Sequence, residues 1–181
     1  MVEITYQMVL STIQTIGILI GIYYYIMTLR NQNRTRQEQW LLQLYHSKAD
    51  HEAMQRFFKY MEATWDDYED YLEKYDSSVN PEYAAIRHSI WNFYNSLGLI
   101  VKEGKVGINM VYSLYNWRII AEWFKGETLI KRLREGVLGP DHNVYFEYLA
   151  DEMIRMRQER GLPLPVELLH PTSTLHQELN S

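Results

Sequence analysis

"TIGILIGIYYYIMTLRNQNRTR", residues 15–36, decides how the rest of the chain is read. It joins branched apolar residues and two glycines, Gly17 and Gly21, to three tyrosines and then to Arg30, Arg34 and Arg36. Upstream of it, no charge occurs between Glu3 and Arg30. A helix over 8–29 rises roughly 33 Å at about 1.5 Å per residue, which matches a hydrocarbon core about 30 Å thick. Tyr6 at one end and Tyr23, Tyr24 and Tyr25 near the other suit the interfacial layers. A cleaved export signal carries basic residues before its apolar run and small residues at a cleavage site after it. Here the basic residues come after the run, and no such site follows. The expectation is a single uncleaved span in the cell membrane. Residues 1–7 form a short external N-terminus, and the three arginines hold the C-terminal side in the cytoplasm. Three arginines determine topology beside the headgroups but fall short of a specific lipid-binding cluster.

The span has two faces. Ser11, Gln14, Gly17, Gly21 and Tyr24/Tyr25 follow steps of three and four, and Val9, Ile13, Ile16, Ile20, Tyr23 and Met27 lie mostly opposite. Gly17 and Gly21 allow another helix to approach closely, and Gln14 suits a hydrogen bond across such a contact. The competing reading is that this spacing arises by chance and Gln14 reaches toward headgroups. The pattern does not distinguish a second copy from a different protein.

Working outward, "RNQNRTRQEQWLLQLY", residues 30–45, contains neither Gly nor Pro, so the helix is expected to continue beyond the span. Met54, Phe57, Phe58, Met61, Trp65, Tyr68 and Leu72 recur at helical steps and predict one amphipathic helix ending near "DSSVNP". Asn80 then serves as N-cap and Pro81 as first residue of a helix carrying Tyr83, Ile86, Ile90, Phe93, Tyr94, Leu97 and Val101. Gly104 is the expected stop. A helix from about Ile108 to Phe124 is apolar nearly all round and is placed centrally. Gly126 marks a bend before Leu129, Ile130, Leu133 and Val137. Phe146, Leu149, Met153 and Met156 define a last helix ending at Gly161. The predicted architecture is all-α: a membrane helix over 8–29, a cytoplasmic bundle of about five helices over 30–161, and a loose tail over 162–181.

Composition narrows function mainly by exclusion. With 181 residues, 46% hydrophobic, and fifteen Tyr, five Trp and five Phe, the chain can build one modest core and is unlike a disordered sequence. A net charge of −5 provides no electrostatic footprint for nucleic acid. With no cysteine, disulfides, thiolate zinc sites and cysteine nucleophiles are excluded. His46 and His51 are five apart, which misses the three- or four-residue spacing that puts two metal ligands on one helix face. His88 stands alone on its helix, His142 falls in a loop, and His170 and His176 fall in the tail. "DDYEDYLEKYD", from Asp66 to Asp76, lacks the glycine and alternating ligands of a calcium loop and reads as a solvated helix face. Arg118 and Glu122 are four apart. They are expected as a helix-surface ion pair, against the alternative of Arg118 as an anion ligand. No motif for a nucleophile elbow, a phosphate loop, a dinucleotide or a helical zinc site occurs, so no catalytic residue and no cofactor is assigned.

"YYYIMTLRNQNRTRQEQWLLQLY" and "SLGLIVKEGKVGINMVYSLY", the latter from Ser96 to Tyr115, together resemble an uncharacterised group of small prokaryotic proteins. The resemblance covers roughly the first 155 residues. It implies one N-terminal span, a helical cytoplasmic domain and no catalytic residue to carry over.

The leading functional expectation is a membrane-anchored interaction protein, an accessory or scaffold subunit, with Tyr112, Tyr115, Trp117 and Trp123 as candidates for a partner surface. Core packing is the competing role for each of these four. The alternative is a membrane-tethered sensor with a small-ligand pocket between helices. A third reading, a hydrolytic or metal-dependent enzyme, predicts His88 converging with acids from other helices.

Overall fold

The computed structural model describes residues 6–48, 51–136 and 138–165. These form six helices: α1 (Tyr6–Lys48), α2 (His51–Glu62), α3 (Tyr68–Tyr75), α4 (Pro81–Lys102), α5 (Ile108–Glu135) and α6 (Val144–Glu159). No strand occurs among the described residues, so the chain is all-α as expected. Expectations that fell on residues 1–5 of the N-terminus, on Val137, and on residues 166–181 of the tail with His170 and His176 lie outside the described residues.

The chain divides into two units, residues 1–42 and 43–181. Most of α1 forms the first. Its apolar stretch is long enough to cross a membrane, and none of it is buried within the protein. The hydroxyls in that stretch turn back onto their own helix. Thr12 Oγ1 donates to the Met8 carbonyl at 2.7 Å, Thr15 Oγ1 to Ser11 at 2.8 Å and Thr28 Oγ1 to Tyr24 at 2.9 Å. Polar side chains satisfied in this way suit an apolar surrounding. Arg34 Nε then meets Glu38 Oε1 at 2.9 Å, an exposed pair one turn apart.

In the second unit α6 packs on both α4 and α5, and α2 and α3 lie against α4. The helix ends follow local chemistry. Asn80 Oδ1 accepts from Tyr83 N at 3.0 Å, with Pro81 opening α4. Gly104 and Gly161 close α4 and α6 with φ of +68° and +65°, a region where a Cβ is disfavoured. The residue preceding α6, Asn143, makes no side-chain cap. Instead Asn95 on α4 supplies Oδ1 to Tyr145 N at 3.0 Å and Phe146 N at 3.3 Å. The core then fills with Trp91, Leu97, Ile119, Ile120, Ile130, Phe146, Leu149 and Met153.

Two expected elements differ. The amphipathic helix predicted to end near "DSSVNP" is two helices, α2 and α3. Lys125 on α5 donates to the Ala63 carbonyl and lies 4.5 Å from the Trp65 ring centre, holding the chain out of helical register. Asp67 Oδ1 then accepts from Asp70 N at 2.9 Å and starts α3 afresh. "DDYED" therefore includes a capping segment as well as a solvated face. Gly126 is not a bend: α5 runs through it. A Cβ there would stand 2.7 Å from Tyr60 Oη and 3.0 Å from Trp91 Nε1, so the glycine allows close packing of α5 against those side chains.

Candidate functional site

The steps of α2 put Glu52, Gln55, Arg56 and Lys59 along one edge, facing Glu82, Ala85, Ile86 and Ser89 of α4. Together they line a surface groove of about 510 Å³. Lys59 Nζ crosses it to Glu82 Oε1 at 2.6 Å, and Arg56 Nη1 lies 3.4 Å from Glu52 Oε1. These exposed pairs set the shape of the groove and contribute little stability, on the order of 0–1 kcal/mol each.

Arg56 and Ser89 also border a smaller chamber of about 20 Å³, whose other walls include Phe93, Tyr94, Arg118 and Glu122. That is room for about one water molecule. Arg118 Nε donates to Glu122 Oε1 at 2.9 Å, with the two side chains 15% and 1% exposed. The expected surface ion pair is therefore a buried one, because α2 lies over this turn of α5. The Arg118 guanidinium sits 4.6 Å from the centre of the Phe57 ring, and Nη1 reaches Met54 Sδ. Burial opposes charge on Arg118, yet Tyr94 and Glu122 outweigh it and hold its pKa above the ordinary value. Burial first, and Glu122 next, push the pKa of the Tyr94 phenol well up. Groove and chamber thus offer a charge-balanced, hydrogen-bonding surface rather than a focused field of one sign.

On the other flank of α2, Phe58 and Trp117 are 53% and 42% exposed. Phe57, buried between them, meets Phe58 at 5.5 Å and Trp117 at 5.8 Å between ring centres, both edge-on. Of the four aromatics expected at a partner surface, only Trp117 is exposed. Tyr112, Tyr115 and Trp123 are buried. Tyr115 packs against Tyr45 and Phe93, Trp123 against Phe146, and Tyr112 lies 4.0 Å beneath the Arg160 guanidinium. Their side of α5 faces other helices.

The remaining sequence candidates are separate from this site. Gln14, Gly17 and Gly21 are exposed on α1, with nothing within 4 Å of a Cβ added at either glycine. Arg30 and Arg36 are exposed there too. His46 is exposed with its ring 6.0 Å from Tyr45, and His51 Nε2 lies 2.9 Å from Gln55 Nε2. No group of three metal-ligating side chains gathers among the described residues. His88 faces Arg87, at 3.2 Å between Nε2 and Nη2, and not a carboxylate. Sequence reasoning missed the groove, which depends on which helix lies beside α2. It also missed Arg87, for which there was a signal: an arginine within the apolar stripe of Tyr83, Ile86, Ile90 and Tyr94.

A family model described as a domain of unknown function, DUF4760, matches residues 11–153. The chain belongs to the DUF4760 family. No curated protein and no solved structure matches the chain. The DUF4760 match begins inside the apolar stretch of α1 and ends within α6, so it takes in the groove, the chamber and the Phe58–Trp117 pair. An uncharacterised family agrees with the resemblance read from the sequence.

Proposed function

We propose that this DUF4760 protein is a single-pass membrane-anchored interaction module, whose helical domain docks a protein partner at the cytoplasmic membrane face through α2 and its two flanks. The exposed Phe58–Trp117 pair carries this reading. Large rings standing on a buried third ring make rigid anchors, and such residues dominate interface energetics. The charge-balanced groove supplies a polar rim on the other flank. The anchor is supported by the uncharged stretch of α1, its self-satisfied hydroxyls, and the tyrosines and arginines that follow it.

Two measurements test it. The protein should stay in the membrane pellet after an alkaline wash, and externally added protease should leave the helical domain of right-side-out cells or vesicles intact. Release by alkali, or digestion from outside, would sink the anchor or its orientation. Tagged full-length protein isolated in mild detergent should then run at a native mass above its own, with one stoichiometric companion. Phe58→Ala with Trp117→Ala should reduce that companion by about thirtyfold or more, the loss of roughly 2 kcal/mol expected for one anchor residue or more. A lone chain, or a companion retained by the double variant, would overturn the docking surface.

The groove of about 510 Å³ favours a second reading, a tethered domain that holds a small polar ligand between Arg56, Lys59 and Ser89. Mass spectrometry of small molecules released from the same purified sample distinguishes the two.

A further inference from the structure

The chain that follows α6 leaves the helical domain close to Trp117. Gly161 turns it with a φ of +65°, and Leu162 N donates to the Arg157 carbonyl at 3.0 Å. Arg157 then holds it down. Its Nε and Nη2 donate to the Pro163 carbonyl at 2.9 and 2.6 Å, while Nη1 donates to Asn116 Oδ1 of α5 at 2.6 Å. The Arg160 guanidinium lies over Tyr112, one turn before Asn116, and Pro165 is buried. Residues 162–165, expected as the start of a loose tail, are therefore tied down beside α5. The direction in which the chain continues is set from there.

Asn116 adjoins the exposed aromatic pair. Ser113 lies three residues before Asn116 and four before Trp117, so the three share one patch of the α5 surface. Ser113 and Trp117 are both exposed, and so is Leu162 at the exit itself. Phe58 extends the patch from α2, across the buried Phe57 ring. Residues 166–181 follow directly. They begin with Val166, Leu168 and Leu169 and carry Leu175 and Leu179 further on. They contain Glu167 and Glu178 but no Lys or Arg, so nothing in them repels Arg157 and Arg160 at the exit. Extended chain advances about 3.3 Å per residue, so Leu169 reaches about 13 Å beyond Pro165. That spans the width of one helix with its side chains, about 10–12 Å.

We propose that residues 166–181 cover the Phe58–Trp117 pair of their own chain, with Val166, Leu168 and Leu169 laid against Trp117. The tether makes the contact intramolecular, at an effective concentration in the millimolar range, so burying a few branched side chains suffices. A protein partner that docks through the same rings then has to displace this segment, which acts as a built-in competitor. The cover concerns the chain alone and stands or falls separately from the partner proposed for α2.

The chain has no cysteine, so two introduced thiols report on one another alone. The full-length protein, in mild detergent, is given Leu169→Cys together with either Ser113→Cys or Gln158→Cys. Ser113 lies beside Trp117, whereas Gln158 is exposed on α6 next to Arg157 and so is also near the exit. Oxidation with copper phenanthroline should close the Ser113 pair within the monomer about ten times faster than the Gln158 pair. Phe58→Ala with Trp117→Ala should bring the first rate down to the second, and so should Val166→Asp with Leu168→Asp. Equal rates for the two pairs, or a fast Ser113 pair that either set of substitutions leaves unchanged, overturns the cover. If the ring substitutions unfold the domain, the tail substitutions decide. Failure here with a companion that still depends on Phe58 and Trp117 removes only the cover; fast closure in a chain without a companion removes only the docked partner.

Discussion

Gly98→Ala is expected to destabilise the helical domain by about 3 kcal/mol, lowering its melting temperature by roughly 10 °C. Gly98 lies one turn beyond Asn95 on α4, where α4 meets the start of α6. A Cβ at this position would collide with the carbonyl carbon and oxygen of Tyr145. The obstacle is backbone, so no side-chain rotation relieves it. Retreat of the Tyr145 peptide would also pull Tyr145 N and Phe146 N away from Asn95 Oδ1, which caps α6. One methyl group therefore breaks a contact and a cap together. Circular dichroism melts of the two proteins measure the effect. A variant that melts with the parent would mean that α6 can slide on α4 at little cost, contrary to close packing between them.

Glu122→Ala is expected to cost about 3–5 kcal/mol, because it leaves the Arg118 charge buried without its carboxylate. The useful comparison is the double variant Arg118→Met with Glu122→Ala. Removing both charges also removes the cation that has lost its carboxylate, so the double variant should be more stable than Glu122→Ala alone. Arg118 contributes to packing as well as charge, since it stacks on Phe57 and reaches Met54. Methionine retains some of that apolar volume. Denaturant unfolding of the parent, both single variants and the double completes the cycle. If the double variant were the sum of the singles, the pair would not be coupled and the buried bridge would contribute nothing of its own.

These effects show which parts of the fold local sequence governs. Asn80–Pro81, Gly104 and Gly161 act on their own neighbours through a cap, a fixed φ and a positive φ, so the corresponding helix ends were legible. The break between α2 and α3 was not. Phe57, Met61, Trp65, Tyr68 and Leu72 keep helical spacing straight across it, and Lys125, 62 residues away, reaches the Ala63 carbonyl that ends the register. Gly126 misled for a related reason. Its small size makes room for Tyr60 and Trp91, which the sequence around it does not reveal.

The candidate site was still less legible. Lys59 and Glu82 are unremarkable exposed charges until α2 is laid beside α4. Tyr112, Tyr115 and Trp123 have the composition of an interface and the position of a core. Phe58, an expected member of the buried face of α2, is instead exposed beside Trp117. Aromatic content measures how much ring surface must be placed, and neighbouring helices determine which rings remain outside.

The cap that Asn95 provides to α6 also bears on how the chain is made. The N–H groups at the start of α6 are satisfied by a helix that precedes it by about 50 residues. Phe146, just inside α6, stacks on Tyr94 of α4 and meets Trp123 of α5 edge-on. A ribosome releases α4 and α5 first, with those two rings waiting for a partner not yet synthesised. Closure is a late event joining distant parts of the chain, and not stepwise growth from the N-terminus. Until residue 144 clears the exit tunnel, Tyr94 and Trp123 lack the Phe146 ring against which they pack in the folded chain.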